Sequence, residues 1–177
     1  MTLMSCPVDS QQCKGMRLME SYRWGFVAMV DALGFKGIHA RYVPEAVLQA
    51  MKVSKLQIER EYLRYSDSTW LLLNAEMSLR YMSDTVIICL QFDRVSFDEV
   101  GEEKARFACF TLCELVLLLT NYWATALIPL AFRGAIACGH FCSDEEFLVG
   151  QAVDDCAEIF EHAQGSLLRL ARGSPDF

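Results

Sequence analysis

Residues 79–92 read LRYMSDTVIICLQF, two short apolar runs separated by the polar pair Ser83-Asp84. The second run is rich in β-branched residues, which favour extended backbone, and a polar dipeptide between two such runs is typical of a tight turn. The stretch therefore predicts a β-hairpin with strands over Leu79–Met82 and Thr85–Phe92. Asp84 lies in the turn of that hairpin.

On the N-terminal side of the hairpin, the sequence predicts a strand and then a helix. The strand covers Arg23–Val30 (RWGFVAMV), is bounded by Asp31, and is followed by the glycine-containing turn DALGFKGIHARY. Pro44 opens the helix, because proline is tolerated in the first helical turn. The predicted apolar side of this helix consists of Val47, Leu48, Met51, Leu56, Ile58 and Leu63.

On the C-terminal side, an acidic loop (93–103, DRVSFDEVGEE) leads into a long apolar helix over about Glu102–Trp123. A strand over Leu130–Cys138 and a helix over Gly150–Gln164 follow. The order is thus strand, helix, two strands, helix, strand, helix. This order predicts an α+β fold with a ferredoxin-like split βαβ sheet covered by helices.

Composition limits the class of protein. Of 177 residues, 53% are hydrophobic and only 4 are proline, which excludes a disordered chain. We expect an N-terminal arm over 1–22 and a single domain over 23–177. The formal net charge of −7 gives no electrostatic basis for binding a nucleic-acid polymer.

The cysteine pattern and the N-terminus predict a cytoplasmic location. No apolar segment typical of a signal peptide follows the first basic residues. The 8 cysteines include no CxxC pair, and several lie inside apolar runs, which favours buried free thiols over disulfides or zinc. Residues 115–132 carry no charge and approach the length of a membrane span, but Pro129 divides them into a helix and a strand. We therefore predict no membrane segment.

Two aspartates are candidates for a metal site. Asp31 follows the first strand and Asp84 lies in the hairpin, and these two elements are neighbours in a split βαβ sheet. Two carboxylates and a backbone carbonyl suit Mg²⁺ or Mn²⁺ when a substrate phosphate completes the coordination. Position alone favours a structural interpretation, with Asp31 as a helix cap and Asp84 as a turn residue.

Four blocks of sequence resemble the catalytic domain of the class III nucleotidyl cyclases, in the order that the family has them. They are VDALGFKG (30–37), RYMSDTVIICL (80–90), FRGAIACG (132–139) and LVGQAVDDCAE (148–158). The resemblance extends over about residues 24–165. It places Asp31 and Asp84 on the two metal-binding aspartates of the family.

The resemblance implies a set of functional residues and partners. Two divalent ions, Mn²⁺ or Mg²⁺, would be held by Asp31, Asp84 and the carbonyl of Ala32. The triphosphate of a nucleotide would lie on Gly34, Phe35 and Lys36. Because class III sites form between two protomers, the resemblance also implies a homodimer.

The base-selecting positions of the family hold Arg80 and Phe147, which match neither the adenylate nor the guanylate pattern. Arg80 can donate to the O2 acceptor of a pyrimidine, and Phe147 takes space that a purine needs. Tyr42 is a further candidate for narrowing the base pocket. This pattern is similar to the stand-alone bacterial pyrimidine cyclases of anti-phage signalling.

Other positions depart from the family pattern. Asp154 replaces an asparagine, and Glu158 replaces the arginine that stabilises transition-state charge in the family. An arginine in that role can be worth roughly 10³–10⁵ in rate. Arg133 and Asp154 are candidates for transition-state support, and the missing arginine has four candidate replacements: Arg41, Arg80, Arg133 and Arg169.

The resulting hypothesis is a pyrimidine cyclase that converts UTP or CTP into a 3′,5′-cyclic mononucleotide and pyrophosphate. Two alternatives stay open. One is a purine cyclase with an unusual base pocket. The other is a cyclase-like module that binds a nucleotide or a partner without turnover, which Asp154 and Glu158 favour.

Overall fold

The computed structural model describes residues 22–68, 75–94, 96–144, 147–161 and 168–170. All of the predicted N-terminal arm except Tyr22 lies outside these residues. The strands are β1 (Arg23–Leu33), β2 (Ala75–Met82), β3 (Thr85–Phe92), β4 (Ala131–Ser143), β5 (Leu148–Val149) and β6 (Leu168–Leu170). The helices are α1 (Pro44–Ser68), α2 (Phe97–Val100), α3 (Glu102–Thr125) and α4 (Gln151–Glu161), with a 3₁₀ turn at Ile38–Ala40.

The described strands form one mostly antiparallel sheet in the order β2-β3-β1-β4-β5, and β6 pairs with β4 in parallel. The first strand is central, with β3 on one side and β4 on the other. The elements β1-α1-β2-β3-α3-β4 give the split βαβ arrangement. The predicted α+β, ferredoxin-like fold class is confirmed, and the hairpin has its predicted turn at Ser83-Asp84.

Helices cover both faces of the sheet. On one face, α1 and α3 pack over alternate residues of the central strands, including Phe26, Ala28 and Val30 of β1. On the other face, α4 buries Ala152 and Cys156 against a smaller cluster around Val27 and the alanines of β4. Since side chains alternate along a strand, β1 contributes to both clusters and holds the two layers together.

Helix α3 is the one described helix that is long and apolar enough to cross a membrane. Its apolar side chains are also what a helix packed on a sheet requires. The residues that it buries in the fold are Ala105, Ala108, Thr111, Leu112, Leu115, Val116, Leu119 and Trp123. The predicted division of the uncharged run is present, because α3 ends at Thr125 and β4 begins at Ala131.

Six of the eight cysteines lie in the described residues, and these six are free thiols. Cys89 and Cys156 are buried, and burial raises the pKa of each thiol, to about 11 and about 12 respectively. Both therefore stay protonated near neutral pH. Cys6 and Cys13 lie outside the described residues.

Several predicted boundaries were wrong. Strand β1 does not stop before Asp31 but continues to Leu33, because β3 pairs with it as far as Asp31 and β4 as far as Leu33. The predicted acidic loop contains the short helix α2, whose N-terminus is capped by the Ser96 hydroxyl accepting from the Glu99 amide at 3.3 Å. Strands β5 and β6 were not predicted, since two or three residues carry no usable periodicity.

The predicted apolar side of α1 was also partly wrong. Val47 and Ile58 are buried, as predicted, but three leucines of the predicted set are exposed: Leu48, Leu56 and Leu63. The buried stripe continues instead through Ser54 and Tyr62. Polar atoms are tolerated there because the Ser54 hydroxyl donates to the Met51 carbonyl and the Tyr62 hydroxyl donates to the Ala75 carbonyl.

The contact between β1 and β4 leaves no room for a side chain at Gly134. A Cβ atom there would lie 2.6 Å from the Cγ1 atom of Val30, a distance that requires the strands to separate.

We predict that Gly134→Ala lowers the free energy of unfolding by about 3 kcal/mol. Chemical denaturation measures this. Gly37→Ala is the matched control, because Gly37 has a left-handed helical backbone (φ 75°, ψ 16°) and open space around it; its cost should stay near 1 kcal/mol. Equal losses for both variants would contradict the close approach.

Candidate functional site

The candidate site is built around Asp31 in the central strand. The sheet register places Asp31 opposite Thr85 of β3 and opposite Arg133 of β4. One carboxylate oxygen accepts from the Thr85 hydroxyl at 3.4 Å, and the other pairs with the Arg133 guanidinium at 3.5 Å. The Arg133 guanidinium also lies over the ring of Phe160 of α4. The position of the carboxylate is therefore set by three elements of secondary structure.

The hairpin turn brings Asp84 next to Asp31. Ser83 takes a left-handed φ of 61°, and the Asp84 carbonyl accepts a hydrogen bond of 2.8 Å from the amide of Ala32. Burial raises the pKa of Asp31, and the charge of Asp84 raises it further, whereas the charge of Arg133 lowers it. The two carboxylates are thus close enough to repel each other, which is a feature of sites built to bind cations.

The donor atoms at this position fit a divalent metal ion. The described residues contain no group of three or more His, Cys, Asp or Glu side chains that could hold a metal. Two carboxylates and the carbonyl of Ala32 are hard oxygen donors, and they leave coordination positions for water or phosphate oxygens. This donor set suits Mg²⁺ or Mn²⁺, and an ion would relieve the repulsion between Asp31 and Asp84.

The loop after β1 has open backbone amides. Gly34 and Gly37 both take left-handed φ angles, of 80° and 75°. The amide of Phe35 donates to the Ala32 carbonyl at 3.3 Å, whereas within the described residues the amides of Lys36 and Gly37 donate to no protein acceptor. Lys36 is exposed. An anion can therefore meet two free amides and one ammonium group here.

Arg80 and Phe147 are brought together, in a way that the sequence did not predict. The Arg80 guanidinium donates to the Phe147 carbonyl at 3.0 Å, to the Ser143 hydroxyl at 2.7 Å and to the Asp144 carbonyl. It thus ties β2 to the β4–β5 turn. The Phe147 side chain is 66% exposed, so its ring remains accessible to a ligand.

Two of the predicted site residues lie away from the carboxylate of Asp31. Tyr42 packs against the α1–α3 side of the core, opposite the face that carries Asp31 and Arg133, and its ring lies 5.9 Å from the Arg41 guanidinium beside the loop after β1. Asp154 is exposed on α4, as is Glu158 one turn later, while Ala152 and Cys156 face the sheet. Within one chain, α4 therefore directs Asp154 and Glu158 away from the aspartate pair.

Sequence reasoning missed two residues of this region, Thr85 and Ser143, and left open which of the four candidate arginines lies beside the loop after β1, where the fold places Arg41. Thr85 could have been found from the sequence, because it follows Asp84 and becomes the partner of Asp31 when the hairpin is aligned with β1. Arg41 donates to the Gly34 carbonyl, and Ser143 accepts from Arg80, contacts that only the tertiary fold reveals. The side chain of Arg169, a candidate arginine, lies outside the described residues.

The comparisons with known proteins agree with this fold. The chain is similar to the adenylyl cyclase CyaB from P. aeruginosa, with a TM-score of 0.54 and 14% identity over 83% of this chain and 76% of that one. It is also similar to the guanylate cyclase domain of RhGC from Catenaria anguillulae, solved in complex with GTP, with a TM-score of 0.55 and 12% identity over 84% and 78% of the two chains. No family model and no curated protein sequence matches the chain. The fold is therefore that of the adenylyl and guanylyl cyclase domains.

We predict that Mn²⁺ stabilises the protein through Asp31 and Asp84. An ion at 100 times its dissociation constant raises the free energy of unfolding by about 2.7 kcal/mol. Asp31→Asn and Asp84→Asn should each lose this increase in thermal denaturation with and without Mn²⁺. The Asp31 carboxylate must be ionised to bind Mn²⁺, and its pKa is raised. The stabilisation by Mn²⁺ should therefore disappear on acidification at a higher pH than it would for an ordinary aspartate.

Asp93→Asn is the control for this experiment, since Asp93 is an exposed carboxylate that pairs only loosely with Arg23, at 3.5 Å. Its response to Mn²⁺ should match that of the unmodified protein. Undiminished stabilisation of both Asp31→Asn and Asp84→Asn would show that the ion binds elsewhere.

Proposed function

We propose that this chain is a pyrimidine nucleotide cyclase. It converts UTP or CTP into a 3′,5′-cyclic mononucleotide and pyrophosphate, in the bacterial cytoplasm, as a second messenger of anti-phage defence. The observation that carries the proposal is the pairing of Asp31 and Asp84 at the predicted positions, in a fold like that of adenylyl and guanylyl cyclases. The domain over 23–177 is the catalytic unit.

The reaction forms a bond between the ribose 3′-oxygen and the α-phosphorus and breaks the bond from that phosphorus to the β-phosphate. Asp31, Asp84 and the Ala32 carbonyl would hold two divalent ions, whose charge would make the 3′-hydroxyl more acidic and offset the charge of the phosphates. Arg133 favours the ionised form of the half-buried Asp31, because its charge lowers the pKa that burial and Asp84 raise, and it orients the carboxylate. The electron pair of the broken P–O bond leaves with pyrophosphate, and the proton of the 3′-hydroxyl passes to solvent.

The loop after β1 holds the triphosphate in this mechanism. The free amides of Lys36 and Gly37 and the Lys36 ammonium group face the negative charge that moves onto pyrophosphate. Arg41 adds a second cation beside the loop, because its guanidinium is held on the Gly34 carbonyl. Of the described candidates for the family arginine, Arg80 donates to three acceptors of the β4–β5 turn and Arg133 pairs with Asp31. Arg41 is bound at the phosphate loop itself, through the Gly34 carbonyl, so it suits that role best.

The base lies against Phe147. Its exposed ring offers a stacking surface, and Arg80 holds the turn that carries it. An aromatic ring at this position reduces the space for a purine, which supports a pyrimidine substrate. Tyr42, on the other side of the sheet of the same chain, can narrow a base pocket only if the partner of a dimer places it there.

The position of α4 supports a homodimer. Asp154 is exposed and points away from the aspartates of its own chain, so it can support the reaction only at a site on another chain. Two copies related by a two-fold axis would give each aspartate pair the α4 surface of the partner. Phe147 and Arg80 would reach the nucleotide from that same partner.

A product assay tests the proposed activity. Purified protein is incubated with each of the four nucleoside triphosphates and Mn²⁺, and the products are separated by chromatography. We expect a cyclic pyrimidine nucleotide, lost by at least 100-fold in Asp84→Ala because a metal ligand is removed, and retained in the surface control Asp93→Ala. Exclusive cyclic AMP or GMP would contradict the pyrimidine assignment. Nucleotide binding with no product would instead favour a non-catalytic module, which Glu158 in place of arginine suggests.

A mixing experiment tests the shared site. Asp84→Ala removes a metal ligand, and Arg80→Met removes the support of the base turn, so each variant alone should be inactive. After unfolding and refolding together at equal amounts, half of the dimers are mixed and each contains one intact site. Activity should return to about one quarter of the unmodified level. No recovery, with mixed dimers verified by differently tagged copies, would show that both residue groups act within one chain.

A further inference from the structure

A polar pocket of about 310 Å³ lies between the hairpin and the β4–β5 turn. Its lining residues are Glu76, Ser78, Arg80, Gln91, Ser143 and Asp144. The volume is at the lower end of the range for small-molecule pockets and suits a single heterocyclic ring. Because the pocket borders the turn that presents Phe147, a base stacked on that ring extends its edge toward this pocket.

The donors of the pocket are largely occupied. Arg80 directs three of its five N–H groups at Ser143, Asp144 and Phe147. The Asp144 carboxylate is occupied as well, because it accepts from the Phe147 amide at 2.6 Å. Arg80 is thus a positioning residue for the turn. The groups that can recognise a base are therefore the other residues that line the pocket.

Of the remaining lining groups, the Ser78 hydroxyl is hydrogen-bonded to the Cys89 thiol. Two acceptors are then left, on neighbouring strands. Glu76 and Gln91 are cross-strand partners in the register of β2 and β3. Gln91 is only 8% exposed, and its Nε2 atom donates to the Phe141 carbonyl at 2.9 Å, which leaves its Oε1 atom as an acceptor. Within the described residues, the Glu76 carboxylate forms no ion pair. The pocket therefore presents a carboxylate and an amide oxygen to whatever enters it.

We infer that this pocket reads the exocyclic amino group of cytosine, so that the enzyme acts on CTP in preference to UTP. The N4 amino group of cytosine donates two hydrogen bonds, and Glu76 and Gln91 supply two acceptors. Uracil has the acceptor O4 at the same position. This oxygen would face the Glu76 carboxylate with no hydrogen atom to form a bond between them, so the two groups would repel each other. This inference rests on the proposed function, because it assumes that the ligand is a nucleotide.

Substrate analogues that cannot react test this preference directly. The full chain is titrated by calorimetry, with Mn²⁺, against 3′-deoxy-CTP and 3′-deoxy-UTP, which lack the attacking hydroxyl. One hydrogen bond to a charged group corresponds to roughly a 10- to 100-fold difference in affinity. We expect 3′-deoxy-CTP to bind tighter by about that factor. Equal affinities, or tighter binding of 3′-deoxy-UTP, would overturn the inference.

The variant Glu76→Gln shows whether the preference comes from this pocket. It keeps the size of the side chain, removes the charge and adds a donor for the uracil O4 atom, so the preference should fall roughly 10-fold or more. Glu99→Gln, on exposed α2, is the matched control and should keep the full preference. An unchanged preference in Glu76→Gln would also overturn the inference.

The two proposals fail in different ways. Preferential binding of 3′-deoxy-CTP with no cyclic product from CTP would contradict the cyclase activity and support the pocket. Exclusive formation of cyclic UMP from the natural substrates would support the activity and overturn the pocket.

Discussion

The pairing of β1 with strands on both sides is the constraint on which the rest of the structure depends. Because β3 pairs with β1 as far as Asp31 and β4 pairs with it beyond that residue, the register places the Asp31 carboxylate between Thr85 and Arg133. The same pairing needs glycine at position 134, where a Cβ atom would meet Val30. A strand held on two edges cannot slip by one residue without moving its whole buried set to the wrong face. The position of Asp31 is therefore as well determined as the core itself.

The position of Asp31 next to Asp84 concentrates negative charge, which positive groups of the fold must offset. Burial and Asp84 both disfavour the ionised form of Asp31, and Arg133 supplies a partial compensation. Perturbed carboxylates of this kind are common at functional sites, because a group arranged for a ligand is not arranged for stability. The cations beside it, Lys36 and Arg41, lie on the loop after β1. A chain of net charge −7 can in this way present a local site for a triphosphate.

The sequence was sufficient for the fold class and for the pairing of Asp31 with the hairpin, because both depend on element order and strand periodicity. It was insufficient where tertiary contacts override local pattern. Three leucines of α1 that looked like core residues are exposed, since Ser54 and Tyr62 take the buried stripe with their hydroxyls satisfied. Periodicity measures apolar character along one helix, whereas burial also depends on what the facing elements can accommodate. The shortest strands carried no pattern at all.

Arg80 is a second case in which the sequence could not predict a tertiary contact, here at the candidate site. Its position in the sequence suggested that its guanidinium reads a base, because an arginine can only donate and a pyrimidine offers an acceptor. In the fold the same donors meet a hydroxyl and two carbonyls of the β4–β5 turn. A guanidinium with several protein acceptors is held rigidly, and it transmits that rigidity to the turn carrying Phe147. Base specificity then comes from pocket groups that still have free hydrogen-bonding atoms. The amino-acid sequence cannot identify these groups, because it does not show which donors already bind other parts of the protein.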